Sequence, residues 1–215
     1  MKKLLWVVML LLIGTLAAHA TTEVLTFSGF QQPYEQILNY YNGGFGGSGT
    51  GPGPSYGVVF GPDALALPNG PGSNVENEPL GATGSMIFLS GSGDIMDVAA
   101  GFTTGFSFYY AAPYDTGSVT VYDGLDGTGS VLATLNLAEN GSYCDGILAY
   151  TCWSEVGVSF AGTAMSVDFS GTANYIAFSD VTLGSPQVPT PEPSAFLMLG
   201  PAVAAAGLVR RKLMR

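Results

Sequence analysis

Between Thr21 and Val209 the chain contains no lysine, no arginine and no histidine. All six basic residues stand at the ends: Lys2 and Lys3 at one, Arg210, Arg211, Lys212 and Arg215 at the other. The single histidine is His19. The stretch between holds all sixteen carboxylates, so the formal net charge of −10 understates how acidic it is. These absences exclude several chemistries. Nucleic-acid binding needs Lys or Arg to displace counterions from phosphates, and none are available. An anionic polysaccharide could be held only through a bridging metal. Acid–base chemistry by His or Lys is ruled out as well. Carboxylate, hydroxyl, aromatic and metal chemistry remain.

Cysteine is nearly absent too. Cys144 and Cys152, in SYCDGILAYTCW, are the only two. There is no second pair and no nearby histidine, so the spacing does not suit zinc. An even count in an oxidising compartment reads as a disulfide rather than two buried thiols. It would close a short loop and pin it locally, contributing about 2–3 kcal/mol.

Helix-period segments are also missing from Thr21 to Gly184, although PYEQILNYY has room for one helical turn. Glycine is abundant, with 31 residues, and Gly43 to Pro54 must form an irregular loop. Its formal G-x-G-x-x-G match (Gly44, Gly46, Gly49) lacks the strand before and helix after that a dinucleotide site requires. Period two is plain elsewhere. GFTTGFSFYYAA puts Phe102, Thr104, Phe106, Phe108 and Tyr110 on one face of a strand. SVTVYDGLDGTGSVLATLNL predicts a hairpin, with Val119 and Val121 inward on one strand and Val131, Ala133, Leu135 and Leu137 sharing a face of the other. TEVLTFSGF, SMIFLS, EVGVSF and AMSVDF add further strands. In NYIAFSDVTLG, Val181 and Leu183 fall out of phase with Ile176 and Phe178, which predicts a bulge near Ser179–Asp180. About eight to ten short strands predict an all-β, two-sheet antiparallel sandwich over residues 21–185.

The ends read differently. MKKLLWVVMLLLIGTLAAHA (residues 1–20) has the basic start, apolar run and small-x-small end of a secretory signal peptide, with Ala18, Ala20 and Thr21 at the cleavage point. An uncleaved anchor is the alternative. Prolines make residues 186–193 a stiff spacer. Ser194 to Val209 is uncharged, about 24 Å long as a helix. A transmembrane helix is therefore expected over residues 194–215, its basic end cytoplasmic.

Pro191-Glu192-Pro193, the short hydrophobic run and Arg210-Arg211-Lys212 together resemble the PEP-CTERM sorting signal. An ordinary tail anchor is the alternative. The body phrases YYNGGFGGSGTGPGPSYGVVF, GFTTGFSFYY and IAFSDVTLG are similar to those of one uncharacterised, β-rich group of these proteins. The resemblance implies recognition and cleavage by exosortase, a membrane transpeptidase, after export through the inner membrane of a Gram-negative bacterium. It also implies a place at the cell envelope, cell surface or extracellular matrix, in association with exopolysaccharide. No activity comes with it.

The remaining chemistry is sparse. Asp94/Asp97, Asp123/Asp126 and Glu76/Glu78 are the carboxylate pairs on offer, but they lie in polar turns where carboxyls keep ordinary pKa values. A glycosidase needs one raised by burial beside a cleft, so no enzyme is expected. The closing strand resembles the last strand of carbohydrate-binding jelly rolls, which implies calcium at Asp180, with Glu23 as partner and Ser28 at the position usually acidic. Tyr40, Tyr41, Tyr109, Tyr114 and Tyr122 are candidates for stacking on sugar, Tyr109 and Tyr122 foremost. The reading is a structural matrix protein. The alternative is a lectin-like, calcium-dependent module.

Overall fold

Strand alternation sorts the chain into two layers. The computed structural model describes residues 22–69, 72–88, 94–144, 146–172 and 176–190. The signal peptide with Ala18, Ala20 and Thr21, and the sorting motif with Pro191, Glu192, Pro193, Arg210, Arg211 and Lys212, lie outside them. Among the described residues twelve strands follow in order: β1 (Glu23–Leu25), β2 (Glu35–Gln36), β3 (Val58–Phe60), β4 (Ala64–Pro68), β5 (Gly84–Phe88) and β6 (Ile95–Phe102). Then come β7 (Gly105–Ala111), β8 (Gly117–Tyr122), β9 (Val131–Leu137), β10 (Ser154–Ser159), β11 (Ala164–Asp168) and β12 (Ala177–Leu183). The first sheet runs β10-β7-β12-β5-β4-β2, with β1 also on β12; the second runs β3-β6-β11-β8-β9. Every ladder pairing is antiparallel. The fold is the expected all-β sandwich.

Aromatic side chains fill the space between the layers. Phe88, Phe108 and Phe178 project from the first sheet, and Phe169 meets them from the end of β11. The Phe178 ring lies 5.2 Å from Phe108 and 5.1 Å from Phe169, edge to face in both cases. Such pairs add about 0.5–1.5 kcal/mol beyond their burial.

The expected bulge is present. The β12–β7 register shifts between Ser179 and Thr182, and Asp180 takes a φ of 50°. One extra residue puts Val181 and Leu183 back on the core side with Ile176 and Phe178.

Three expectations need correction. The GFTTGFSFYY run is two strands in different sheets, because Thr104 adopts φ 77° and the chain turns there from β6 to β7. Phe102 and Phe106 still meet across the core, with centroids 6.0 Å apart. Val131 is exposed rather than sharing the inward face of Leu135 and Leu137, because the β8–β9 register shifts beside it. PYEQILNYY forms no helical turn of its own: Glu35–Gln36 pairs with β4, followed by tight turns.

Glu35 organises the glycine-rich loop. It is buried, and its carboxylate accepts from the Ser48 N–H (3.0 Å), the Thr50 N–H (3.1 Å) and the Thr50 hydroxyl (2.6 Å). Gly46 is required there, since a Cβ would come within 2.7 Å of Glu35 Oε1 and 3.0 Å of the Gln36 carbonyl. Glu35→Ala leaves two backbone donors without a partner and should cost about 3 kcal/mol. Urea unfolding measures this, and an unchanged midpoint would show that the loop holds itself.

Candidate functional site

The outer face of the first sheet is polar along one row. The ladders place Tyr109 directly between Glu155 on β10 and Ser179 on β12. This row is partly covered by the chain that leaves β12. Ser107 Oγ donates to the Ser185 carbonyl (3.1 Å), the Val188 N–H donates to Glu155 Oε1 (2.8 Å), and Val188 is buried. Gly105 and Gly157 leave room for Pro186 to cross. The start of the expected spacer is therefore docked on the sheet. Tyr109 is half-buried as a result; burial, then the charges of Glu155 and Asp180, push its hydroxyl pKa up.

Asp180 stands at the bulge of the same sheet, 3% exposed. Its Oδ2 accepts from Ser179 Oγ at 3.3 Å, and burial raises its pKa to about 6. Glu23 does not reach it. Glu23 pairs opposite Leu183, three residues along the strand or about 10 Å away. It lines instead a cavity of about 340 Å³ at the sandwich end, with Tyr56, Phe102 and Thr163. The carboxyl that senses Asp180 is Glu78, 6% exposed, with neither oxygen in a formed hydrogen bond. Burial drives Glu78 to about 7, opposed by its own backbone and Asn69, while the charges of Asp180 and Glu76 add to the rise. Among the described residues no group of three acidic, His or Cys side chains is gathered for a metal. Nothing in VENEPLG separates Glu78 from Glu76; only the packing of the loop above the sheet does.

A second apolar cluster holds that loop. Leu65, Leu67, Ile87 and Ala177 face outward from the first sheet and pack with Val75, Tyr150 and Trp153. Val75 bridges Tyr150, and Trp153 Nε1 donates to the Glu76 carbonyl at 3.1 Å. Cys144 and Cys152 are joined by the expected disulfide, with Cα atoms 5.3 Å apart. The pinned loop projects Tyr143 and Ile147 into solvent, 56% and 87% exposed. Tyr114, 57% exposed, comes from the β7–β8 connection, and its nearby hydroxyl raises the Tyr143 pKa. Tyr150 is raised by burial first, then by nearby Tyr34, Tyr114 and Asp115. Tyr34, Tyr114 and Asp115 thus lie within electrostatic reach of Tyr150, and Tyr143 lies near Tyr114. Sequence reasoning found only Tyr114 of these.

The other candidates fall elsewhere. Tyr41 is a core residue whose hydroxyl accepts from the Phe27 N–H (2.7 Å), and its pKa is driven far up by burial. Tyr40 packs on Phe30 with centroids 4.4 Å apart. Tyr122 lies on the outer face of the second sheet, between Val131 and Ser166, on the opposite side of the sandwich from Tyr109. Asp123 and Asp97 accept from the Ser130 and Asp126 N–H groups (2.6 and 2.9 Å). They close the β8–β9 loop and leave no pair facing a substrate.

No family model and no curated protein matches the chain. Among solved structures it is similar to a carbohydrate-binding module of Cellvibrio mixtus lichenase 5A in complex with cellotriose, with 10% identity, 60% of this chain, 96% of that one and a TM-score of 0.37. It is also similar to a module from Clostridium stercorarium with cellobiose, with 16% identity, 60% and 94% coverage and a TM-score of 0.35. A third is a Bacillus subtilis family 43 arabinoxylan arabinofuranohydrolase with cellotetraose, with 21% identity, 59% of this chain and a TM-score of 0.38. The match spans only 26% of that enzyme's length. At these scores the likeness says nothing about ligand or activity.

Proposed function

We propose that this chain is an exported cell-envelope protein, sorted through its C-terminal PEP-CTERM-like signal, whose sandwich is a lectin-like module for polysaccharide. The observation that carries the sugar-binding part is the gathering of Tyr34, Tyr114, Tyr143 and Tyr150 beside Asp115. Pyranose rings stack on exposed aromatic faces, and a neighbouring carboxylate takes their hydroxyls. With no Lys, Arg or His in the domain, the ligand is neutral, or anionic and bridged by a cation. Calcium would act at Asp180 with Glu78, not Glu23. The module is non-catalytic: Glu78 and Asp180, two carboxyls with raised pKa, are both buried and shut away from any sugar. Export and exosortase processing rest on the two ends of the sequence.

A second reading is supported by the unbroken negative charge: a structural matrix component in which the sandwich binds no sugar. Co-sedimentation of the protein with the producing organism's exopolysaccharide separates the two, in calcium and in EDTA. The lectin reading expects binding that the double variant Tyr114→Ala/Tyr143→Ala weakens at least about tenfold, roughly 1.4 kcal/mol. Absence of binding in both buffers would leave the structural reading.

A further inference from the structure

We propose that the cavity at the sandwich end binds an amino sugar, the Glu23 carboxylate taking its protonated amine and Tyr56 its ring. The cavity arises because β6 is longer than its partner. Ser166 pairs with Asp97 and Ala164 with Phe102, so β6 takes five steps where β11 takes two. The surplus chain passes through Gly101 at φ 69° and forms one wall with Val98, Ala100 and Phe102. A Cβ at Gly101 would collide with the Thr163 methyl, so glycine is what lets Thr163 sit at the rim.

The opposite wall carries the charge. Glu23 stands opposite Leu183 in the β1–β12 ladder and in phase with Leu25. Leu25 and Leu183 are both core residues. The half-buried Glu23 side chain therefore leaves its sheet on the inner side, where the layers part, and lines the cavity. Between Thr21 and Val209 no basic side chain exists to compensate it. The cavity floor is apolar, made by the buried Val98, Phe102 and Leu183. A carboxylate drawn partly out of water over such a floor gains most from a ligand that brings its own positive charge.

Tyr56 supplies the aromatic surface. Its N–H donates to the Tyr41 carbonyl (2.8 Å), and its ring stacks on Tyr41 with centroids 6.1 Å apart. It is thus held in place while 37% exposed. An aromatic face attracts both a sugar ring and a nearby ammonium. The exposed Thr103 and Thr163 at the rim offer hydroxyls to those of the ring. A volume of about 340 Å³ is small for a ligand pocket and suits one sugar unit rather than a chain. The field of sixteen carboxylates draws a cation toward it. Phe102 and Thr103 precede β7 at this end, whereas Tyr114 follows the far end of that strand, about 20 Å away. The site is separate from the tyrosine cluster, takes a ligand of different charge and does not depend on the reading of that cluster.

Calorimetric titration of the whole secreted protein with D-glucosamine at pH 6, where the amine is protonated, tests it. D-glucose and N-acetyl-D-glucosamine serve as uncharged controls. Glucosamine should bind with a dissociation constant of about 1 mM, at least about tenfold tighter than either control. Glu23→Gln should abolish that preference. Should Glu23→Gln fail to fold, Ala100→Trp, at an exposed position on the cavity wall, should block entry without touching the core. Tyr114→Ala/Tyr143→Ala should leave glucosamine binding unchanged. Glucosamine that does not bind at ten times the expected constant, or binds no tighter than glucose, would overturn the proposal. So would binding that Glu23→Gln and Ala100→Trp leave intact, or binding lost in the Tyr114/Tyr143 variant, which would place the ligand at the tyrosine cluster.

Discussion

In EDTA the protein loses stability as the pH rises from about 4 to about 8. Glu78 titrates in the folded state near 7, and Asp94 and Asp180 near 6, against values near 4 in an unfolded chain. Each is a carboxyl whose neutral form the fold prefers. Between those limits the folded state holds more protons than the unfolded one, so the free energy of unfolding falls with pH. The stabilisation is complete below about pH 4 and lost as the pH passes 6 to 7. One pKa unit corresponds to about 1.4 kcal/mol, which sets an upper bound of several kcal/mol for the three groups together. A melting temperature about 10 °C lower at pH 8 than at pH 5 is expected for a domain of this size. Glu78→Gln should flatten the profile by removing its largest shift. A profile that is level, or that rises with pH, would mean that these carboxyls are not held in a desolvated state. Calcium at pH 8 should recover part of the loss, because a bound cation favours the ionised form.

Phe178→Ala should cost about 4 kcal/mol, close to the limit for a single core truncation. Its side chain is completely buried and its ring meets Phe88, Phe108 and Phe169, so three rings from both sheets lose a common neighbour. It also sits on β12, which pairs with β1, β5 and β7. Relaxation into the cavity would disturb three ladders at once, so little relaxation is expected. Tyr122→Ala, on a half-exposed outer face, should cost less than about 1 kcal/mol. Equilibrium unfolding in urea reports both, and similar costs for the two would contradict the placement of the core.

The parts legible in the sequence were local. Alternation in β7, β8 and β12 marked core faces correctly, since side chains on a strand must point to opposite sides. The phase change in IAFSDVTLG located the bulge, because a slipped hydrophobic register can be restored only by an extra residue. Where alternation misled, a single backbone conformation intervened. Thr104 interrupts a perfect period-two run with a left-handed turn, and the chain passes from one sheet to the other while its phenylalanines stay in phase.

The candidate sites were far less legible. Glu35, Glu78, Asp94 and Asp180 are buried, whereas Asp115, Asp126 and Glu155 are exposed, yet all are carboxylates in glycine-, serine- or tyrosine-rich surroundings. Tyr40 and Tyr41 look like surface tyrosines and belong to the core or its edge. Tyr114 and Tyr143 lie far apart in the chain, yet Tyr114 is near enough to raise the Tyr143 pKa. By itself the sequence determined an all-β sandwich with a disulfide-pinned loop, and a domain with no cationic side chain to neutralise a buried acid. Only the tertiary structure decided which acids are buried and which tyrosines meet. Burial and proximity depend on how distant loops cover a sheet, and no local pattern encodes that.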